Sequence, residues 1–238
     1  MDISKYRCVS GSTLKVIAIA TMLIDHTAKH VLAYVPFARH HLFTLGSHDV
    51  NLLYIMVSIG RIAFPIFAYL IVEGYIHTHD RKAYGRNLLL FALLSEIPWN
   101  LIHTGTLFYN RQNVFFTLFL GYLGIWCIDH FRHSIKRQAV SLLSLLLASF
   151  LLRADYSCTG FALILMTYTL RNNKLLMSVI GTGLFSSTWR SGLAYIPICM
   201  YNGKRGFIQG CTLKYAFYAF YPLHLLILYF IRLSLLSH

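Results

Sequence analysis

LLYIMVSIGRIAFPIFAYLIVEGYIH, residues Leu52–His77, decides the architecture. Only Arg61 and Glu73 interrupt an otherwise apolar run, and about 20 such residues suffice for a helix to cross the hydrocarbon of a bilayer. Similar runs recur on both sides of it, separated by short polar breaks: Leu14–Val35, Gly85–His103, Asn113–Asp129, Gln138–Leu152, Ser157–Leu170, Lys174–Trp189, Ser191–Tyr201 and Leu213–Leu235. The chain is 57% hydrophobic and 12% charged, about half the charge of an average soluble domain. A water-soluble globule of 238 residues has no interior large enough for that apolar surface, whereas a bilayer removes the need for one. The expected fold is therefore an all-α, polytopic transmembrane bundle of about nine membrane helices in a single domain spanning 1–238. The fifth to eighth runs are short for a perpendicular crossing. One of them, Ser191–Tyr201 above all, is expected to be re-entrant or part of a broken helix, lying against protein or water rather than lipid.

The net charge of +13 is the footprint of nucleic-acid binding in a soluble protein. In a membrane protein it marks cytoplasmic loops facing anionic headgroups, so no nucleic-acid partner is expected. With the N-terminus inside and nine alternating spans, fourteen of the 21 Lys and Arg fall on the inner side, Lys5, Arg7, Lys15, Arg81, Lys82 and Arg86 among them. The apolar stretch after Lys15 is interrupted by Asp25 and His26 and has no small-residue cleavage site, so it reads as a retained first span rather than a signal peptide. The five cysteines are scattered with no CxxC pair, which points to neither a zinc site nor a disulfide framework.

Ionisable groups inside spans cost about 2.5–3.5 kcal/mol each on insertion scales and are kept where they face a partner, a cavity or a substrate. Asp25 and His26 lie in the first span, Arg61 and Glu73 in the second, Glu96 in the third and His224 in the last. Asp25 and Lys29 are four apart with the acid first, the favourable order for an intrahelical pair. His26 shares its face with Met22 and His30, and Asp25 points about 100° away from it. A neutral interhelical histidine satisfies the pattern, and so does a general base, since imidazole titrates near neutrality and accepts a proton from an attacking amine or hydroxyl. No GxSxG elbow, HExxH pair or P-loop is present. In the last span, KYAFYAFYPLH places Tyr218, Tyr221 and His224 along one face, with Pro222 able to free a carbonyl. That face is either a packing stripe or the lining of a polar tunnel. The basic loop His77–Arg86 is either a positive-inside anchor or a clamp for phosphates.

LKVIAIATMLIDH (Leu14–His26), IGRIAFPIFAYLIVEGYIHT (Ile59–Thr78), LLSEIPWN (Leu93–Asn100), QNVFFTLFLG (Gln112–Gly121) and KYAFYAFYPLHL (Lys214–Leu225) together resemble the TraX family, named for the acetylase of F-type conjugative pilin, over nearly the whole chain. Three blocks are also similar to the acyltransferase-3 group: Lys15 ahead of the first-span His26, FPIFAYLIVEGY leading into Arg81, Lys82 and Arg86, and YAFYAFYPLH beside a "SYxxYLxH" pattern. This sequence departs from the group at Ala219 and Pro222, which replace typical residues, and at Glu73, which sits where a serine is usual.

The resemblance implies acetyl transfer from cytoplasmic acetyl-CoA to an amine or hydroxyl at or across the bacterial inner membrane, with the N-terminus of a membrane-inserted pilin as one acceptor. For that reaction His26 is the expected general base and Asp25 an electrostatic support, with Glu73 or Asp155 orienting the imidazole. Lys15, Arg81, Lys82, Arg86 and Lys214 hold the phosphates, and Tyr218, Tyr221 and His224 line the path of the pantetheine arm. Arg61 or Tyr221 stabilises the oxyanion, and Glu96, Gln112 and Asn113 line the acceptor side. No metal is implied. Lys15 and His26 lie about 16 Å apart along a helix axis, which suits a carrier whose nucleotide stays at the membrane surface. A secondary transporter and a non-catalytic pilus-assembly factor are the alternatives.

Overall fold

The computed structural model describes residues 7–46 and 48–237, so Lys5 of the expected inner set lies outside the described residues. Among the described residues ten α-helices carry the fold. They are α1 (Gly11–His30), α2 (Leu52–Gly60), α3 (Ala63–His77), α4 (Arg81–Thr104), α5 (Val114–His130), α6 (Ile135–Leu151), α7 (Ser157–Thr169), α8 (Lys174–Leu184), α9 (Tyr195–Cys199) and α10 (Cys211–Leu236). Among the described residues three segments are long and apolar enough to cross a bilayer: Gly11–Tyr34, Leu52–His77 and Thr212–Leu236. The helices Val114–His130, Ser157–Thr169 and Lys174–Leu184 are apolar but shorter.

Local chemistry sets the helix ends. Ser10 caps α1 by accepting from the Thr13 amide at 3.2 Å, Asp80 caps α4 through Ala83 at 2.8 Å, and Asn113 caps α5 through Phe115 at 3.0 Å. Helix α4 ends where Gly105 takes a left-handed φ of 71° and returns its amide to Leu101. The expected second span is not one helix: it breaks at Arg61–Ile62 between α2 and α3. The first helix stops at His30, short of Val35, and continues as two 3-10 turns. Beyond them Phe43–Leu45 pairs antiparallel with His48–Val50, a small hairpin in an otherwise helical chain. The segment Ser191–Tyr201, expected to be irregular, lies in a 3-10 stretch (Ser186–Ala194) followed by the five-residue α9.

Connections alternate between two ends. At one end the start of α1 is knitted to the segment after α9 by Gly11 N–H donating to Lys204 O and Ser12 N–H to Arg205 O, both at 2.8 Å. At that same end Asp129, closing α5, accepts from Tyr75 of α3 and Tyr168 of α7 and pairs with Arg81 at the start of α4. At the opposite end Arg232 of α10 donates to Ile102 O of α4 at 2.6 Å, and Asp155 N–H, before α7, donates to Gln112 O, before α5, at 2.9 Å. The first end carries Lys15, Arg81, Lys82, Arg86, Arg205 and Lys214 and is called the basic end below; the other is the far end.

The core lies where α1, α3, α4, α5, α7 and α10 meet, around Phe64, Val72, Leu88, Ala92, Ile125 and Leu225. The buried face of α1 uses Leu14, Ala18, Thr21, Met22, Asp25 and Ala28, a helical stripe rich in small side chains. Small residues let helix backbones approach closely where the hydrophobic effect gives no net drive between helices. Gly60 of α2 is one such residue, packed directly against the Asp25 side chain.

Candidate functional site

Two histidines on different helices meet in the middle of the bundle. His26 of α1 and His224 of α10 stack with ring planes 2° apart and centroids at 5.0 Å, and His26 Nδ1 lies 2.7 Å from His224 Nε2. Hydrogen-bond geometry fixes which nitrogen carries the proton. His224 Nδ1 sits 2.8 Å from the Phe220 carbonyl oxygen, an acceptor only, so Nδ1 holds the hydrogen of neutral His224. Its Nε2 is then a lone pair and accepts from His26 Nδ1–H. The remaining nitrogen of His26, Nε2, is left basic. His26 is half-buried, while His224 is 4% exposed. Tyr221, one turn before His224, packs edge-on against His26 at 6.1 Å, and its hydroxyl is buried with no hydrogen-bond partner.

A charged layer lies beside this pair. Lys29 Nζ reaches Asp25 Oδ2 at 2.5 Å, the pair expected from their spacing, while Asp25 Oδ1 is buried without a partner. Arg61, at the break between α2 and α3, lies within electrostatic reach of Asp155 and Tyr156. The loop carrying these two residues is strained: Arg153, Tyr156 and Ser157 all adopt left-handed φ values of 39–62° without being glycine. Each such residue costs on the order of 1 kcal/mol, and clustering of this kind is common at functional sites. The loop is fixed by the face-to-face stack of Tyr156 on Phe64 at 3.8 Å and by Thr117 donating to the Asp155 carbonyl.

Burial pushes the Asp155 carboxyl up to about 6, against the pull of Lys29. The folded value lies above the unfolded one of 3.8, so the native state binds the proton more tightly. Stability therefore falls as pH rises from 3.8 to about 6, and the full cost is present above that. Asp155→Asn is expected to raise the unfolding temperature at pH 7.5 and to converge with the parent protein near pH 4. Equal shifts at both pH values would show that the carboxylate carries no such cost.

A cleft of about 510 Å³ opens at the far end and is lined by Trp99, His103, Tyr109, Arg111, Arg153 and Asp155, among others. A smaller one of about 240 Å³ is lined by Tyr54, Val57, Ser58, Arg61 and Arg190. Neither of these two cavities reaches the basic end.

At the basic end Lys15 has Arg205 and Lys214 as its charged neighbours, a set of like charges suited to an anion. Lys82 and Arg86 are exposed at the start of α4. Arg81 is engaged otherwise: it pairs with Asp129 at 3.3 Å and lies over the Tyr75 ring. Between this end and His26 runs an aromatic seam in which Tyr218 stacks on Phe91 at 5.0 Å and Phe115 meets Tyr221 edge-on at 5.3 Å.

The structure thus brings together His26, His224, Tyr221, Asp25, Arg61 and Asp155. It does not bring Glu73 to them. Glu73 sits one turn before the end of α3, 3.3 Å from His77 and beside Tyr69 and Tyr201, on the basic side of the bundle. Glu96 accepts from the Asn113 side chain and, at 3.2 Å, from its amide, tying α4 to the start of α5. Gln112 contributes its carbonyl to Asp155. Glu96, Asn113 and Gln112 therefore brace the α5 start behind Tyr221 rather than line the cleft. Sequence reasoning did not single out His103, whose place in the cleft depends on the geometry of α4; the nearest signal was its position at the end of a span. It also left the partner of His26 open between two carboxylates, where the structure supplies His224.

The family model described as TraX protein matches residues 10–232. The chain is also similar to the probable fimbrial assembly protein FimC, serogroup H1, of Dichelobacter nodosus, with 26% identity over 246 residues covering 92% of this chain and 94% of that protein. No solved structure matches it.

Proposed function

This chain belongs to the TraX family, and from that premise we propose that it is a membrane-embedded acetyltransferase, moving an acetyl group from cytoplasmic acetyl-CoA to an amine or hydroxyl acceptor. The observation that carries the reading is the ordered pair of His26 and His224. A neutral imidazole with its Nδ1 proton committed to a partner, and its Nε2 free, is the form a general base requires. His224 takes the orienting role usually given to a carboxylate, anchored in turn by the Phe220 carbonyl.

In this reading the bundle crosses the bacterial inner membrane about nine times with its N-terminus in the cytoplasm. Lys15, Lys214 and Arg205, with Lys82 and Arg86, attract the phosphates of the donor; Arg81 contributes less because Asp129 already neutralises it. The thioester passes between α4 and α10 along Tyr218 and Tyr221. Because Tyr218 stacks on Phe91 there, these helices separate for the donor to pass. His26 Nε2 takes the proton of the attacking acceptor. In this reading the Tyr221 hydroxyl, which is buried, donates to the oxyanion, and Arg61 adds positive charge. Asp25 holds Lys29 and acts through the local field. The acceptor arrives through the far-end cleft, and a pilin N-terminus is one such acceptor.

The test is to incubate purified protein with labelled acetyl-CoA and a detergent extract of the source membranes. Label is expected in the peptide fraction. No transfer above a protein-free control would overturn the enzymatic reading.

A second reading, a non-catalytic factor in pilus assembly, is favoured by the name of the Dichelobacter nodosus relative and by the closed seam between the basic end and His26. It predicts loss of surface pili on deletion with no labelled product in that assay.

A further inference from the structure

Two further histidines extend the His26 pair toward the far end. His30, one turn along α1, packs edge-on to His26 with centroids at 5.9 Å, and His103 of α4 packs edge-on to His30 at 4.9 Å. His103 lines the far-end cleft, stacked on Tyr109 at 5.0 Å. Its Nδ1 lies 2.8 Å from the Trp99 carbonyl, so that nitrogen carries the hydrogen and Nε2 is the acceptor. Among the described residues no three His, Cys, Asp or Glu side chains converge as a metal site requires, so these rings are spaced as a row and not as a chelate.

We propose that His30 and His103 are proton-relay residues that carry a proton from His26 to the far-end cleft. The proposal rests on the acetyltransferase reading and deepens it. An amine acceptor enters the cleft from water as an ammonium. Its acetylation forms one C–N bond and breaks the C–S bond of the thioester. Of the two protons the ammonium loses, one goes to the departing thiolate, giving the free thiol, and the other must leave. His26 Nε2 takes the first proton and passes it to His30, which restores the base. It then takes the second from the attacking amine and returns it to sulfur. A hydroxyl acceptor would leave no proton over, so the row is matched to an amine. Lys29 and Arg232 flank His30 with positive charge, and Arg111 and Arg232 flank His103. His224, Tyr221, Tyr109 and the Asp25 carboxylate that pairs with Lys29 also lie beside the row. The rings meet edge to face, with centroids 5.9 Å apart from His26 to His30 and 4.9 Å from His30 to His103.

The test uses the full chain in proteoliposomes, with labelled acetyl-CoA and the same membrane extract as acceptor. His103→Ala is expected to slow transfer about 10²-fold, the low end of the usual effect of proton-transfer groups. Millimolar imidazole, which diffuses into the cleft, is expected to restore it. His103→Gln, which keeps a donor for the Trp99 carbonyl, is expected to show the same loss and the same rescue, a response that damage to packing does not give. Parental rates in His103→Ala would overturn the relay, and so would a loss that imidazole leaves unchanged. Absence of transfer by the parent protein would instead be failure of the acetyltransferase reading.

Discussion

His26→Ala is expected to lower acetyl transfer by about 10²–10⁴-fold, the range for removal of a general acid–base group, while the helical content and the unfolding midpoint in detergent change little. The small structural cost follows from the contacts. The imidazole is half-buried, and its side-chain hydrogen bond is to His224. Removing it leaves His224 Nε2 without a donor, a cost of about 1 kcal/mol or slightly more. His224→Phe separates orientation from proton transfer. The ring remains to pack against Phe220, with which His224 stacks at 4.9 Å, but it no longer accepts from His26 Nδ1–H. Turnover is expected to fall with KM for acetyl-CoA unchanged, and the acid limb of the rate–pH profile to move as the tautomer of His26 is released. If His26→Ala turns over at the parental rate, the base lies elsewhere and the histidine pair is a packing feature.

Much of the bundle was legible because lipid imposes length and hydropathy on a helix, and these survive in one sequence. The starts of α7 and α8 were read at Ser157 and Lys174, and α3 was read to its end at His77. The break at Arg61–Ile62 was not legible, since the residues around it are as apolar as a continuous span. The hairpin at Phe43–Val50 was missed because its strands are three residues each, too short for alternation to stand out, although Gly46 with φ 61° marks its turn. The ion pair of Asp25 and Lys29 was readable as an i,i+4 contact. The partner of His26 was not, because His224 is 198 residues away and the chain has eight other histidines besides His26, His30 and His224 to choose from, apart from the terminal one. Glu73 illustrates the converse: charge inside an apolar run marked it, but depth within the bundle depends on where α3 begins, and the break moved the polar site to Arg61 instead.

Gly60→Ala is expected to destabilise the folded protein by about 1–3 kcal/mol or more and to impair the site at the same time. A β-carbon on Gly60 would stand 2.2 Å from the Asp25 β-carbon and 2.5 Å from its Oδ1. The obstacle is not the tip of a flexible side chain. The Asp25 β-carbon is fixed by the α1 backbone, and the carboxylate is held on its other side by Lys29 at 2.5 Å. The only relief is for α1 and α2 to part, and close-packed interiors transmit such a displacement rather than absorb it. Parting opens the layer that contains Asp25, Arg61 and, one residue from Asp25 on α1, His26. The better helix propensity of alanine, worth up to about 1 kcal/mol, offsets only part of this at the last residue of α2. Gly183→Ala is the control: nothing lies within 4 Å of a β-carbon at that position in α8, so the same change should be neutral or stabilising by a few tenths to about 1 kcal/mol. Unfolding by denaturing detergent, read by circular dichroism, compares the two directly. Equal stability for Gly60→Ala and Gly183→Ala would mean that α1 and α2 are not in backbone contact at Asp25, and the placement of Arg61 beside Asp155 would fail with it.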